Sequence, residues 1–260
     1  MGELSVLTFN TLLRGDVRAR LRLLGEALET ADYDVACLQE VFWPWNLPLL
    51  RRAAVSYRHV AHGTPLPVVA GGLVTLSRLP ITGGRFIPFG PIPPPRRAWL
   101  MRKGMLVTGL RVAGHRLALV NTHLTANMAD DWSAPYNAYV RVEEAELRRV
   151  AATVARIDPA VPVLVMGDFN VPRDSPVFHD FLAEAGLVDA LAGETEPTYR
   201  PTERWPEPPP IDHVLLRPST ECSVEARLTL RDPVTLPDGR VTYLSDHYAI
   251  EARLSFGTPG

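Results

Sequence analysis

An α/β domain is what the sequence predicts, and three observations carry that expectation. Short apolar runs of strand character, such as Val35 to Leu38 and Val163 to Met166, alternate with longer segments whose leucines and valines recur at helical spacing. The composition, 46% hydrophobic and 22% charged, suits a chain with a sizeable core and argues against disorder. The strand-like runs also end on polar groups, most clearly Asp168 and Asn170 after Gly167. A length of 260 residues accommodates one large domain or two small ones. There is no internal repeat, no dividing linker and no low-complexity tail, so one domain over residues 1–260 is expected.

In chain order, Leu4 to Phe9 alternates as a strand and hands over to Asn10-Thr11. Leu21, Leu24 and Leu28 share one face of a helix from Asp16 to Ala31, with Asp16 placed to cap it. Val35 to Leu38 is a short strand with Gln39-Glu40 at its end, where a carboxylate serves as a helix-start acid or as a metal ligand. Phe42-Trp43-Pro44-Trp45 reads as core or as a loop clamp. Gly71 to Arg78 is a glycine-led strand, Ile81 to Phe89 follows it, and a proline-rich loop holds Pro91, Pro93, Pro94 and Pro95. That loop runs through Arg96-Arg97-Ala98-Trp99 to Arg102-Lys103-Gly104. Its basic and aromatic groups suit a phosphate or a membrane interface, with solvated arginines as the plainer reading.

Met105 to Val112, a turn at Gly114 and Leu117 to Val120 form a predicted hairpin that delivers Asn121-Thr122-His123-Leu124. A long helix is expected from Tyr136 to Ile157, with Val140, Leu147, Val150 and Val154 apolar. Val163 to Met166 is a buried strand ended by Gly167. Asp168 and Asn170 face one way if the strand geometry persists that far. Pro176 to Ala185 is helical and Gly186 closes it. Thr198 to Pro210 is a second proline-rich loop, containing Trp205. Ile211 to Leu216 is a strand with Asp212 at its start, and His213 points away from the partners of Asp212. Val224 to Leu230 is a strand and Pro237-Asp238-Gly239 a turn. Leu244-Ser245-Asp246-His247-Tyr248 opens a last strand that runs to about Phe256.

Several classes are disfavoured by composition. The net charge of -2 gives no global basic field, so bulk attraction to nucleic acid is not expected. Two cysteines, Cys37 and Cys222, make neither a disulfide framework nor a zinc site, and Cys37 reads as a core residue. No run is long and apolar enough for a transmembrane segment. The first strand begins at about Leu4, so the expectation is a cytoplasmic protein, or a secreted one whose leader has been removed. One usage is sharper: Lys103 is the single lysine in a chain rich in arginine. A compact ammonium there does what a planar guanidinium would not.

Polar tips recur at the strand ends: Asn10, Glu40, His123, Asp168 with Asn170, Asp212, and Asp246 with His247. There is no HExxH, CxxC, P-loop or GxSxG to compete with them. Few carboxylates among oxygen neighbours favour Mg²⁺ over zinc. Leu38-Gln39-Glu40, Asn121-Thr122-His123, Gly167-Asp168-Phe169-Asn170 and Ser245-Asp246-His247, in this order, resemble the blocks of the endonuclease/exonuclease/phosphatase superfamily. The resemblance covers nearly the whole chain. It implies a four-layer α/β sandwich of two mixed β-sheets flanked by helices (DNase I-like), and metal-dependent hydrolysis of a phosphate ester. Arg102-Lys103-Gly104 and the stretch from Asn121 to Ala126, with Tyr136 to Leu147, look most like neutral sphingomyelinases and related phospholipid phosphodiesterases.

The roles that follow are what the resemblance implies. Glu40 holds Mg²⁺, or Mn²⁺ in its place, with Asn10 and Asp246 contributing. His247 takes a proton from the attacking water while Asp212 fixes its tautomer. Asp168 orients the water or the imidazole. Asn170 and His123 bind phosphate oxygens, and Lys103 adds a point charge. The expected partner is a phosphate-ester substrate, phospholipid in the sphingomyelinase reading, with a monomer as default. Two other readings stay open: a DNA endonuclease or repair phosphodiesterase of the same superfamily, and a catalytically silent binding module.

Overall fold

The computed structural model describes residues 2–90, 101–132, 137–219 and 222–257. The elements are β1 (Gly2–Asn10), α1 (Val17–Thr30), β2 (Val35–Gln39), α2 (Asn46–Ala53), β3 (His59–His62), β4 (Val74–Ser77) and β5 (Ile81–Pro88). They continue with β6 (Gly104–Val112), β7 (His115–His123), α3 (Ala138–Ala155), β8 (Val163–Asp168), α4 (Pro176–Ala185) and β9 (Val188–Asp189). The chain finishes with β10 (Asp212–Leu216), β11 (Cys222–Thr229), β12 (Val234–Thr235), β13 (Val241–Thr242) and β14 (Ala249–Phe256). One sheet has the order β11-β14-β1-β2-β4-β3 and the other β5-β6-β7-β8-β10-β9, with β12-β13 as a small separate hairpin. Both large sheets are mixed: β1–β2 and β7–β8 run parallel, whereas β1–β14 and β8–β10 run antiparallel.

The apolar runs without alternation are explained by burial on both faces. Leu4 and Val6 of β1, Val35 and Cys37 of β2, Leu164 and Met166 of β8, and Val214 of β10 fill the layer between the sheets. Their neighbours Leu7, Phe9, Ala36 and Leu38 turn outward onto α1 and α2. Val163, Val165 and Leu215 turn outward onto α3 and α4. The four layers are therefore written residue by residue into β1, β2, β8 and β10. Toward the end where β2 and β7 finish, the inter-sheet layer becomes polar. Gln39 Nε2 donates to Asn121 Oδ1 at 2.8 Å and to Thr8 Oγ1 at 3.0 Å, and Asn121 Nδ2 donates to Val74 O at 3.1 Å.

Several expectations need correction. Asp16 precedes α1 but its side chain caps nothing; the carboxylate accepts from both Arg240 guanidinium nitrogens at 2.9 and 3.0 Å. The α2 helix was not expected. It has eight residues and holds Pro48 in its first turn, where a missing N–H costs no helical hydrogen bond. Trp43 and Trp45 are not core: they stack on each other at 5.0 Å, exposed by 39% and 56%. The edge strand β3 carries too many polar residues to read as a strand. The last strand starts at Ala249, and His247 lies before it, joined to Tyr199 by an isolated bridge. The proline-rich stretch with Arg96, Arg97 and Trp99, and the helix start at Tyr136, lie outside the described residues.

Gly167 does not end its strand. β8 continues through it at φ 144, and a Cβ at this position would meet Thr122 O of β7 at 2.0 Å. Only glycine allows β7 and β8 to pair this closely beside Asp168. Gly167→Ala is expected to lower stability by about 3 kcal/mol, at the upper end of overpacking costs. A fall in the urea midpoint at unchanged slope is the readout; an unchanged midpoint would show that β7 can move away freely.

Candidate active site at the polar end of the sandwich

Strand direction gathers the polar tips. β1 and β2 present their carboxyl ends together, as do β7 and β8, and the antiparallel β10 and β14 add their amino ends beside them. The result is a cavity of about 790 Å³. Asn10, Glu40, Lys103, His123, Asp168, Asn170, Asp246 and His247 line it. Asp212 is not on the wall; it lies behind His247, with Oδ2 2.9 Å from His247 Nδ1.

Asp168 is at the centre. It is 1% exposed. Its Oδ2 accepts from Asn10 Nδ2 at 2.8 Å and lies 3.3 Å from His123 Nε2 and 3.8 Å from His247 Nε2. Burial alone would raise this carboxyl, but the His123 and His247 rings and Lys103 outweigh it and hold it well below the usual carboxylate range. Burial likewise opposes charge on His247, yet Asp212 and Asp168 together push its imidazole up to about 10. Asp168 and Asn170 reach the same cavity by a different route from strand alternation. The strand stops at Asp168, Phe169 turns into the outer core, and Asn170 sits at φ 53. From there Asn170 Nδ2 donates to Leu124 O at 3.1 Å, the same carbonyl that accepts from Lys103 Nζ at 3.1 Å. Burial lowers the Lys103 ammonium to about 8 against the pull of Asp168, Glu40 and Glu146.

Asp168, Asp212 and His247 can each bring one ligand atom within 4.8 Å of the others. That triad is a poor cation site, because His247 Nδ1 is committed to Asp212. Glu40 fits a hard cation better. Its Oε2 accepts the Leu13 N–H at 2.6 Å, and no donor among the described residues takes Oε1. Among the described residues Asn10 Oδ1 accepts only the Leu12 N–H, at 3.0 Å, and keeps a lone pair. Asp246 accepts from Ser245 Oγ at 3.1 Å and Tyr199 Oη at 3.3 Å. These oxygens line the same cavity and are of the type that suits a divalent cation.

Residues with no motif to reveal them build the frame. Arg20 is buried in α1 and donates to Thr11 O (2.7 Å), Leu244 O (2.8 Å), Leu12 O (2.9 Å) and Arg14 O, fastening the loop after β1 to the segment before Asp246. The Thr198 hydroxyl accepts the Ile211 and Asp212 N–H groups, each at 3.0 Å. Tyr199 meets His247 edge-on at 5.0 Å, Trp205 lies 5.4 Å from Tyr199, and Trp132 stacks on Trp205 at 6.5 Å. Of this wall, only Trp205 stood out in the sequence.

With this geometry in place, relatives can be compared. The model of the Endonuclease/Exonuclease/phosphatase family matches residues 7–247, and the chain belongs to that family. The family's named activities all cleave phosphate esters. A Drosophila melanogaster protein assigned as a neutral sphingomyelinase is 26% identical over 97% of this chain, which spans 60% of that protein's length. Sphingomyelinase C from Streptomyces griseocarneus superposes with a TM-score of 0.75 and 24% identity, covering 96% of this chain and 99% of that one. D. rerio TDP2, complexed with a single strand DNA product, superposes with a TM-score of 0.74 and 21% identity, covering 97% and 99%. These two structures establish the DNase I-like sandwich and do not choose between lipid and nucleic acid.

His213 faces the other way from the cavity, as its position next to Asp212 in a strand demands. Its ring stacks on Phe178 at 4.1 Å and Nε2 lies 2.8 Å from Val171 O. Burial lowers it to about 4. A histidine depressed in the folded state costs stability as pH falls from its unfolded value of about 6.5 toward 4, because the unfolded chain binds the proton first. His213→Asn is therefore expected to flatten the stability–pH profile between pH 6.5 and 4 by up to about 3 kcal/mol, about 1.4 kcal/mol per pKa unit. Chemical denaturation at pH 7 and pH 4.5 measures it; identical slopes in both proteins would remove His213 from the account.

Proposed function

We propose that the chain is a Mg²⁺-dependent phosphodiesterase of the sphingomyelinase/phospholipase C type. The observation that carries this is the Asp212–His247–Asp168 line, whose His247 and Asp168 face the cavity that the Glu40 carboxylate also lines. The lipid side of the reading draws on the fly relative and on the Trp132, Trp205, Tyr199, Met101 and Met128 wall. That wall offers apolar surface to the group esterified to the phosphate.

Asp212 occupies Nδ1 of His247, so Nε2 is the atom left to exchange a proton with a water or an ester oxygen. Asp168 faces Nε2 from 3.8 Å, orienting the ring and stabilising its charged form. Such acid–base help contributes about 100- to 10,000-fold in rate. His123, Asn170 and Lys103 line the same floor and would bind non-bridging phosphate oxygens, Lys103 as a point charge. A divalent cation held by Glu40, with Asn10 and Asp246, would neutralise phosphate charge, stabilise the developing oxyanion and favour the neutral form of His247.

His247→Ala and Asp168→Ala are expected to lower turnover of sphingomyelin at least 100-fold while far-UV circular dichroism stays native. Near-native rates in either variant would refute the assignment. EDTA is expected to silence the protein, and Mg²⁺ or Mn²⁺ to restore it. Plasmid DNA and abasic-site duplex run beside the lipid decide the substrate: preferential turnover of DNA would overturn the lipid reading but keep the hydrolase. Hydrolysis of nothing, bis-nitrophenyl phosphate included, would leave a silent binding module.

A further inference from the structure

Next to the cavity, outside the acid–imidazole site, arginines form a path along the outer flank. Arg14 lines the cavity rim. Arg18 and Arg22 follow one turn apart on α1, and with Arg52 and Trp45 they line a shallow depression between α1 and α2. Arg52 also borders a second depression, shared with Arg51 and Arg58, that reaches the edge strand β3. All six are exposed, and none has a carboxylate within ion-pair distance among the described residues. Some exposed arginines elsewhere do find acids: Arg116 pairs with Asp158, Arg231 with Glu196 and Arg240 with Asp16. The neighbouring acids do little to offset the path. Along α1, Glu26 is the acid that lines the depression, and Asp16 is paired with Arg240. A net charge of -2 makes this local excess an asymmetry rather than a property of the whole chain.

The same face carries large apolar groups held out to solvent. Trp45 lines the α1–α2 depression and stacks in parallel on Trp43, and Leu66, 70% exposed, follows Pro65 of the second depression. An exposed indole pair has no reason to stay in water. Indoles set among arginines match the headgroup layer of a bilayer, where the ring sits at the interface and the guanidinium meets lipid phosphate. A nucleic-acid groove would use the same charge but has no use for exposed aliphatic side chains. Trp43 is three residues beyond Glu40, within about 11 Å of chain, so a membrane held here lies beside the cavity mouth.

We infer that the α1–α2 flank, through Arg18, Arg22, Arg51 and Arg52 with Trp43 and Trp45, docks the protein on bilayers containing anionic phospholipid. The readout is binding, so it does not require the hydrolase reading. Sedimentation of the full chain with sucrose-loaded vesicles compares phosphatidylcholine alone with phosphatidylcholine containing phosphatidylserine, in EDTA so that no turnover intervenes. Expected is retention on the anionic vesicles, little on the neutral ones, and loss of retention as salt is raised. Arg51→Glu combined with Arg52→Glu is expected to weaken retention at least tenfold, and Trp43→Ala with Trp45→Ala severalfold. Both variants should keep the wild-type unfolding midpoint. Equal retention of the charge-reversed variant, or equal binding to neutral vesicles, would overturn the inference. So would tight binding of short duplex DNA at the same salt, lost in the Arg51/Arg52 variant, without vesicle binding.

Discussion

The Asp168 carboxylate is the constraint on which the rest of the structure depends. A buried charge without partners is costly, and this one is almost wholly excluded from solvent. Its compensation comes from separate parts of the chain: Asn10 at the end of β1, His123 at the end of β7, and His247 before β14. β1 and β8 belong to different sheets, so the Asn10–Asp168 hydrogen bond ties the two sheets together at the end where the cavity opens. The polar bridge from Gln39 to Asn121 does the same one layer below. The inter-sheet layer thus changes from Leu, Val and Met to amides as it nears the site, and each amide finds a partner across the gap.

Around that centre, loops are held by groups that spend their hydrogen bonds on backbone. Arg20 binds carbonyls on both sides of the cavity's rim, and Glu146 of α3 accepts from Thr125 N and Thr125 Oγ1, both at 2.7 Å. Leu124, next to Thr125, offers its carbonyl to both Lys103 and Asn170. A side chain on a helix thereby sets the position of two groups on the cavity floor through a single turn of backbone. Rigid support of this kind is what a site built at strand ends requires if its polar groups are to keep their geometry without a bound ligand.

The cavity and the arginine flank divide the surface chemically. The floor gathers histidines and an ammonium around a carboxylate, the wall is aromatic, and the flank is cationic with exposed indoles. Under the proposed reading, a phosphate ester with an apolar substituent, presented from a negatively charged surface, would meet all of these regions together. Sheet geometry alone makes no such selection, since lipid and DNA enzymes share this sandwich.

By itself the sequence determined the strands buried on both faces, the α4 helix with Pro176 at its start and Gly186 in the left-handed conformation at its end, and the polar tips as a set. Continuous apolar runs and capping residues are local signals, and the physics that produces them is local. Tertiary structure alone decided which tips share a wall. It put Asp212 behind His247 instead of on the cavity, bent Asn170 back under Leu124, and withdrew Asp16 from its helix to pair with Arg240. It also recruited Arg20, Thr198 and Tyr199, whose roles depend on partners up to 224 residues away. Such placements follow from where two twisted sheets bring distant backbone together, and no spacing along the chain encodes that distance.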